Sequence, residues 1–152
     1  MAAFARLVRA YASTTRNLSA ALQASHGLTI NDLEALLLLS RAEGKRMRRV
    51  DLSRLLLLTP SGVTRLLEGL EEAGLVERQT CSGDRRVVYA ALTTAGEERV
   101  EAASCSHVGS IRALLEEHLS DAEMDELSEI LGKLPGVVEA EDACAALPEV
   151  AR

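Results

Sequence analysis

The sequence predicts a mainly α fold with a minor β part (α+β), and three observations carry that reading. Leu and Ala dominate while only Phe4, Tyr11 and Tyr89 are aromatic, a balance that favours helix. Apolar residues recur at i, i+3, i+4 and i+7 in several windows, most plainly Val63, Leu66, Leu67 and Leu70. One stretch breaks that period: a short strand over 75–79, a turn at 81–84 and a second strand over 86–92. The expected order is two helices, a strand, two helices, two strands and two helices.

Residues 3–25 form the first helix, with Phe4, Leu7, Val8, Tyr11, Leu18, Ala21 and Leu22 able to share one side. The segment is amphipathic with Arg at helical intervals. It lacks the apolar block of a secretory leader, so it reads as fold and not as a signal. His26 and Gly27 close it. Thr29 or Asn31 caps the second helix, and Asp32 and Glu34 sit favourably in its first turn. Leu33, Ala35, Leu36, Leu37 and Leu39 are apolar nearly all round, so this helix should be buried. A turn at 42–44 leads to an extended piece over 45–49, expected to pair with the later hairpin.

The third helix is expected over 50–58 with Leu52, Leu55 and Leu56 inward. Val50 stands where a Ser or Thr cap is usual, so this start is weakly specified. Leu57 and Leu58 carry the apolar run into the turn, a packing role. Thr59 then caps the fourth helix, Pro60 fits its first position, and Gly74 stops it as the C′ residue. After the hairpin, Thr94 with Glu97 fits a capping box for a helix running to about His118, roughly 37 Å at 1.5 Å per residue. Its apolar side holds Val100, Ala103, Val108, Ile111, Leu114 and Leu115. Ser120 with Glu123 is a second capping box, opening a helix with Met124, Leu127, Ile130, Leu131 and Leu134 inward. Pro135 and Gly136 end it, and 137–152 is an acidic, Ala-rich extension.

A chain of 152 residues suggests one domain. Three well-separated cysteines make no disulfide framework, and no apolar run can cross a bilayer; the cytoplasm is the expected compartment, without a membrane partner. Net charge is −6, against an indiscriminate nucleic-acid binder, but its distribution is uneven. Residues 45–86 hold nine Lys/Arg and six Asp/Glu, net +3, whereas the rest hold eight and seventeen, net −9. The basic region coincides with the helix and hairpin of 59–92. That layout is a winged helix-turn-helix, one element for the major groove of DNA and a basic hairpin for its flank.

The order and spacing of Val63-Thr64-Arg65-Leu66-Leu67, Leu70-Glu71-Glu72-Ala73-Gly74-Leu75-Val76, Asp84-Arg85-Arg86, Leu92-Thr93 and Gly96 resemble the multiple-antibiotic-resistance regulator (MarR) family of bacterial transcription factors. The likeness extends over 1–135 in the number and lengths of the helices. It implies one regulator domain over 1–152: dimerisation helices at 1–28 and 94–135, a DNA-binding lobe at 29–93 with its wing at 75–92, and the extension at 136–152. The terminal helices carry more apolar stripe than the lobe can cover, which also points to a homodimer. A two-fold dimer implies a pseudo-palindromic operator with half-sites roughly 34–36 Å apart.

On the face of the fourth helix opposite its stripe, Arg65 is the first choice for a guanine edge. Ser61 and Thr64 suit phosphate or bases, and Thr59 with the free N–H groups at the helix start suits a phosphate. Gly62 carries a propensity cost of up to roughly 1 kcal/mol relative to Ala. Close approach to DNA would explain it, and so would drift of a surface position. The family pattern implies that Asp84 orients Arg86 by a bidentate pair, that Arg86 enters a narrow minor groove, and that Arg85 meets phosphate. Arg48, Arg49 and Arg54 are further phosphate candidates. The resemblance also implies a small-molecule effector, often aromatic or phenolic, held among the first, second and fifth helices and releasing a repressor from its operator.

Two other readings stand beside this one. Cys81 in the wing, near Arg85 and Arg86, could serve as a redox switch. The winged helix could also be an interaction module without DNA binding; Arg65 and the Asp84-Arg85-Arg86 run argue for DNA. Cys105, His107, His26 and His118 do not have the spacing of a closed zinc site, so no metal or cofactor is expected. There is no Gly-rich phosphate loop, no HExxH and no paired carboxylates in a credible cleft, so an enzyme is not expected.

Overall fold

A computed structural model describes residues 1–80 and 87–134. Two compact units divide the chain, 1–103 and 104–152. The first begins with α1, Ala2–His26, which ends where Gly27 takes the left-handed conformation at φ 69°. Helix α2, Ile30–Arg41, starts at a full capping box: the Thr29 hydroxyl accepts from Asp32 N at 3.2 Å, and the Asp32 carboxylate accepts from Thr29 N at 2.8 Å. Thr29, not Asn31, is therefore the cap. One 3-10 turn, Glu43–Lys45, leads into β1, Arg46–Arg48.

Helix α3 runs Arg49–Leu55, shorter than the expected 50–58 and starting earlier. Its N-cap is Arg48, whose side chain makes no capping bond. The turn after α3 is clamped through Ser53, whose hydroxyl donates to Leu58 O at 2.8 Å while Leu58 N donates to Ser53 O at 3.2 Å. This clamp puts Leu57 at φ 53° and leaves it 91% exposed. Leu55 is exposed as well, so of the expected inward residues only Leu52 and Leu56 are buried. Leu58 packs on the core and Leu57 does not, which corrects the packing role expected for both.

Helix α4, Pro60–Glu72, has Thr59 as its cap and Pro60 at its first position. It ends in a Schellman motif: Gly74 (φ 71°) donates to Glu71 O, and Leu75 N donates to Leu70 O, both at 3.0 Å. Strands β2, Val76–Thr80, and β3, Val88–Leu92, then complete an antiparallel sheet in the order β1-β3-β2. Register pairs Met47 with Ala90 and Arg78 with Ala90 across the central strand. The core gathers round α2, where Ala35, Leu36 and Leu39 are fully buried against residues that include Leu52, Val63, Leu67, Val76, Ala90 and Val100.

Helix α5, Thr94–Glu116, begins on this lobe. Its capping oxygen belongs to Thr93 and not to the expected Thr94. Thr93 Oγ1 accepts from Gly96 N at 3.0 Å and donates to Gly74 O at 2.8 Å, while Thr93 N donates to Leu75 O at 3.1 Å. Glu97, the other half of the expected box, pairs instead with Lys45 at 2.5 Å. Gly96 permits this seat: a Cβ there would lie 2.1 Å from Leu75 O and 2.7 Å from Leu92 Cδ1.

In the second unit α5 continues to Glu116, short of His118, and α6, Asp121–Gly132, starts at the capping box of Ser120 and Glu123. No residue of α6 is buried. Of its expected inward side chains Met124 and Leu131 are half-buried, while Leu127, Ile130 and Leu134 are exposed. The same holds on α1, where Leu18 and Leu22 are buried but Phe4 (68%), Leu7 (41%), Val8 (48%) and Tyr11 (71%) are exposed. Among the described residues these side chains stay exposed in each unit. Among the described residues no helix is long and apolar enough to cross a membrane.

Candidate nucleic-acid interface

Helix α4 turns Val63, Leu67 and Leu70 into the core. The opposite face therefore presents Ser61, Arg65, Glu68 and Gly69, all exposed. Among the described residues Arg65 makes no ion pair, so its guanidinium keeps its donors. The hydroxyls are more committed. Thr59 Oγ1 accepts from Gly62 N at 3.1 Å and lies 3.1 Å from Ser61 Oγ. Thr64 Oγ1 donates to Pro60 O at 2.9 Å, so its proton is engaged. Thr59 thus satisfies one of the N–H groups that the sequence left open for a phosphate.

Gly62 has a local reason of its own. A Cβ there would sit 3.3 Å from Thr59 Oγ1, so the capping hydroxyl would have to give by a few tenths of an ångström, and 3.7 Å from Leu58 Cβ, an ordinary contact.

A second group of basic side chains lies on β1 and α3. Asp51 Oδ2 accepts from Arg48 Nε at 2.7 Å, and Asp51 Oδ1 lies 3.8 Å from Arg54 Nη1. The hydrogen bond first and the carboxylate charge second raise the Arg48 pKa above its ordinary value. Arg49 is half-exposed beside them. Arg46 lies 5.1 Å from the centre of the Tyr89 ring, in cation–π range, and its Nη1 reaches Gln79 Oε1 at 3.4 Å. Sequence reasoning missed both Asp51 and this stacking. Asp51 left a trace, three residues after Arg48 and three before Arg54; the stack depends on strand register.

The hairpin strands meet at Thr80 opposite Val88. The second strand is Val88–Leu92, and Val87 before it is not part of it. Cys81, Asp84, Arg85 and Arg86, on which the expected wing contacts and the redox reading rest, lie outside the described residues. Among the described residues no three His, Cys, Asp or Glu side chains are grouped to hold a metal ion.

A helix-turn-helix followed by a strand-paired hairpin defines a winged helix-turn-helix protein. Residues 26–87 match the profile of the MarR family. Among solved structures, AbsC, a MarR family transcriptional regulator from Streptomyces coelicolor, is 32% identical with a TM-score of 0.70, covering 88% of this chain and 90% of that one. A mutant of MarR from E. coli, complexed with operator DNA, is 26% identical with a TM-score of 0.72, covering 85% and 91%. The HTH-type transcriptional repressor YetL of Bacillus subtilis is 33% identical over 111 residues, 73% of this chain and 66% of YetL. The chain belongs to the MarR family of transcriptional regulators, which are not enzymes.

Proposed function

We propose that this chain is a homodimeric, sequence-specific DNA-binding repressor, acting in the cytoplasm on a pseudo-palindromic operator and released from it by a small molecule. The observation that carries the reading is the exposed Arg65, without an ion pair among the described residues, on the outward face of α4, a helix whose other face is buried and whose start is capped. An arginine so placed reads guanine by a bidentate contact. Arg48, Arg49 and Arg54 supply backbone contacts, as does Arg85, and Arg86, oriented by Asp84, enters the flanking minor groove. Ser61 and Thr64 add contacts at the helix start.

The exposed apolar residues of α1 and the α6 segment support the dimer, because stripes of Phe, Leu, Val, Tyr and Ile are costly to leave in water. Residues 1–28 and 94–135 then hold two lobes at duplex spacing, and an effector acts by changing that spacing. DNA binding by the E. coli relative, seen with its operator, supports the same reading.

Selection of duplexes from a random pool, followed by binding of two variants, tests it. Arg65→Ala should cost about 1–3 kcal/mol on the selected site and relax preference at one position of each half-site. Arg86→Ala should weaken binding most where the flank is A·T-rich. A pool that shows no enrichment at low salt overturns the proposal.

A further inference from the structure

Between the start of α3 and the base of the hairpin lies a concavity of about 320 Å³, lined by Arg48, Arg49, Val50, Val87 and Val88. Its lining is of two kinds, two guanidinium-bearing residues and three valines. Val50 is 56% exposed and Val87 and Val88 are half-exposed, so apolar surface is offered to whatever enters. A free inorganic anion has no use for such a wall. A sugar–phosphate unit does: the deoxyribose is largely apolar and the phosphate beside it is anionic.

Asp51 stands next to this opening and is less exposed than either arginine it contacts, 29% against 55% for Arg48 and 78% for Arg54. It grips Arg48 at Nε, the inner end of the guanidinium, and thereby leaves both outer Nη groups without an ion-pair partner among the described residues. A carboxylate near a phosphate repels it, a cost that is offset where the carboxylate holds a cation in place. Resting on the DNA-binding reading above, we infer that this concavity seats one sugar–phosphate unit of the duplex backbone, and that Asp51 is a positioning residue that aims Arg48 into it.

The two possible roles of Asp51 predict opposite signs. If Asp51 only adds negative charge, its removal tightens DNA binding. If it positions Arg48, removal weakens binding although the surface becomes more positive. The experiment uses the full chain and its selected duplex, with affinity measured across a salt series and folding checked by thermal melting. Asp51→Ala should bind about three- to tenfold more weakly, the scale of one net hydrogen bond. Arg48→Ala should do the same and lower the salt slope by about 1. The double variant should bind no more weakly than Arg48→Ala, because the two residues act as one unit. Asp51→Glu should recover part of the loss. If Asp51→Ala proves poorly folded, Asp51→Leu, of similar size and without an acceptor, is measured in its place with the same expectation.

Wild-type-like or tighter binding by the Asp51 variant overturns the inference while leaving DNA binding intact. So does a double variant whose loss equals the product of the single losses. Failure of the wild-type chain to bind any duplex overturns the DNA-binding reading itself, and the inference with it.

Discussion

Replacing Gly96 by Ala should destabilise the protein more than any other single-methyl change on its surface-facing helices. The added Cβ would lie 2.1 Å from Leu75 O, where real contacts essentially never fall below 3.0 Å. The carbonyl cannot simply turn away, because Thr93 N donates to it at 3.1 Å. Leu92 Cδ1, 2.7 Å from the new carbon, closes a second side. Relief requires the start of α5 to lift off the β2 side of the lobe, which loosens the Thr93 cap on Gly96 N as well. Overpacking, one cap and one backbone hydrogen bond together come to about 3–5 kcal/mol. Against a total stability of about 5–15 kcal/mol, that is a loss of roughly 10–15 °C in melting temperature. The assay is thermal and urea unfolding by circular dichroism at one fixed protein concentration. Gly69→Ala is the control: nothing lies within 4 Å of its Cβ, so it should gain about 0.5–1 kcal/mol from helix propensity alone. A Gly96→Ala protein that melts within about 2 °C of wild type would refute the close-approach argument.

Two further substitutions test local features. Leu57 holds a left-handed backbone at φ 53° with its side chain 91% exposed, a strain of about 1–2 kcal/mol that Gly relieves at an entropic cost of about 0.5–1 kcal/mol. Leu57→Gly should therefore add up to about 1 kcal/mol of stability, read as a higher urea midpoint; a lowered midpoint would contradict the strain. Glu123 is held below its ordinary carboxyl pKa first by the Ser120 hydroxyl at 2.6 Å and then by Ser120 N at 2.9 Å. Since its folded pKa lies below the unfolded one, the contribution of this box is present above the ordinary Glu range and is lost as pH falls through the folded value. Carboxyl-carbon NMR should find the Glu123 midpoint below the ordinary Glu value and raised in Ser120→Ala. Equal midpoints in the two proteins would remove the hydrogen-bond explanation.

Much of the fold was legible because it is set by local chemistry. Thr59-Pro60 and Ser120 with Glu123 cap helices wherever the chain puts them, and Gly74 supplies a positive φ that few residues accept. What escaped depended on distant partners. Thr93 and Thr94 are equivalent as caps in the sequence; contact of Thr93 with Gly74 and Leu75 decides between them. In the run Leu55–Leu58 apolar character cannot say which leucine faces inward, and the Ser53 clamp settles it by ending α3 early. At the interface, Arg65 could be placed outward from the stripe of Val63, Leu67 and Leu70. Gly62 was visible as a cost, but the 3.3 Å that a Cβ would leave to the Thr59 hydroxyl depends on how the cap is seated. Asp51 went unnoticed because acidic residues three apart from arginines are common on helix surfaces and mostly weak.

The central claim is that two copies of this chain grip one duplex, each through its own α4 and hairpin. Sedimentation equilibrium of the chain with a labelled selected duplex measures that stoichiometry directly. The account predicts a dimer in the absence of DNA and two chains on each duplex carrying paired half-sites. A monomer that binds one chain per duplex, or a dimer that loses no affinity when one half-site is scrambled, would contradict it.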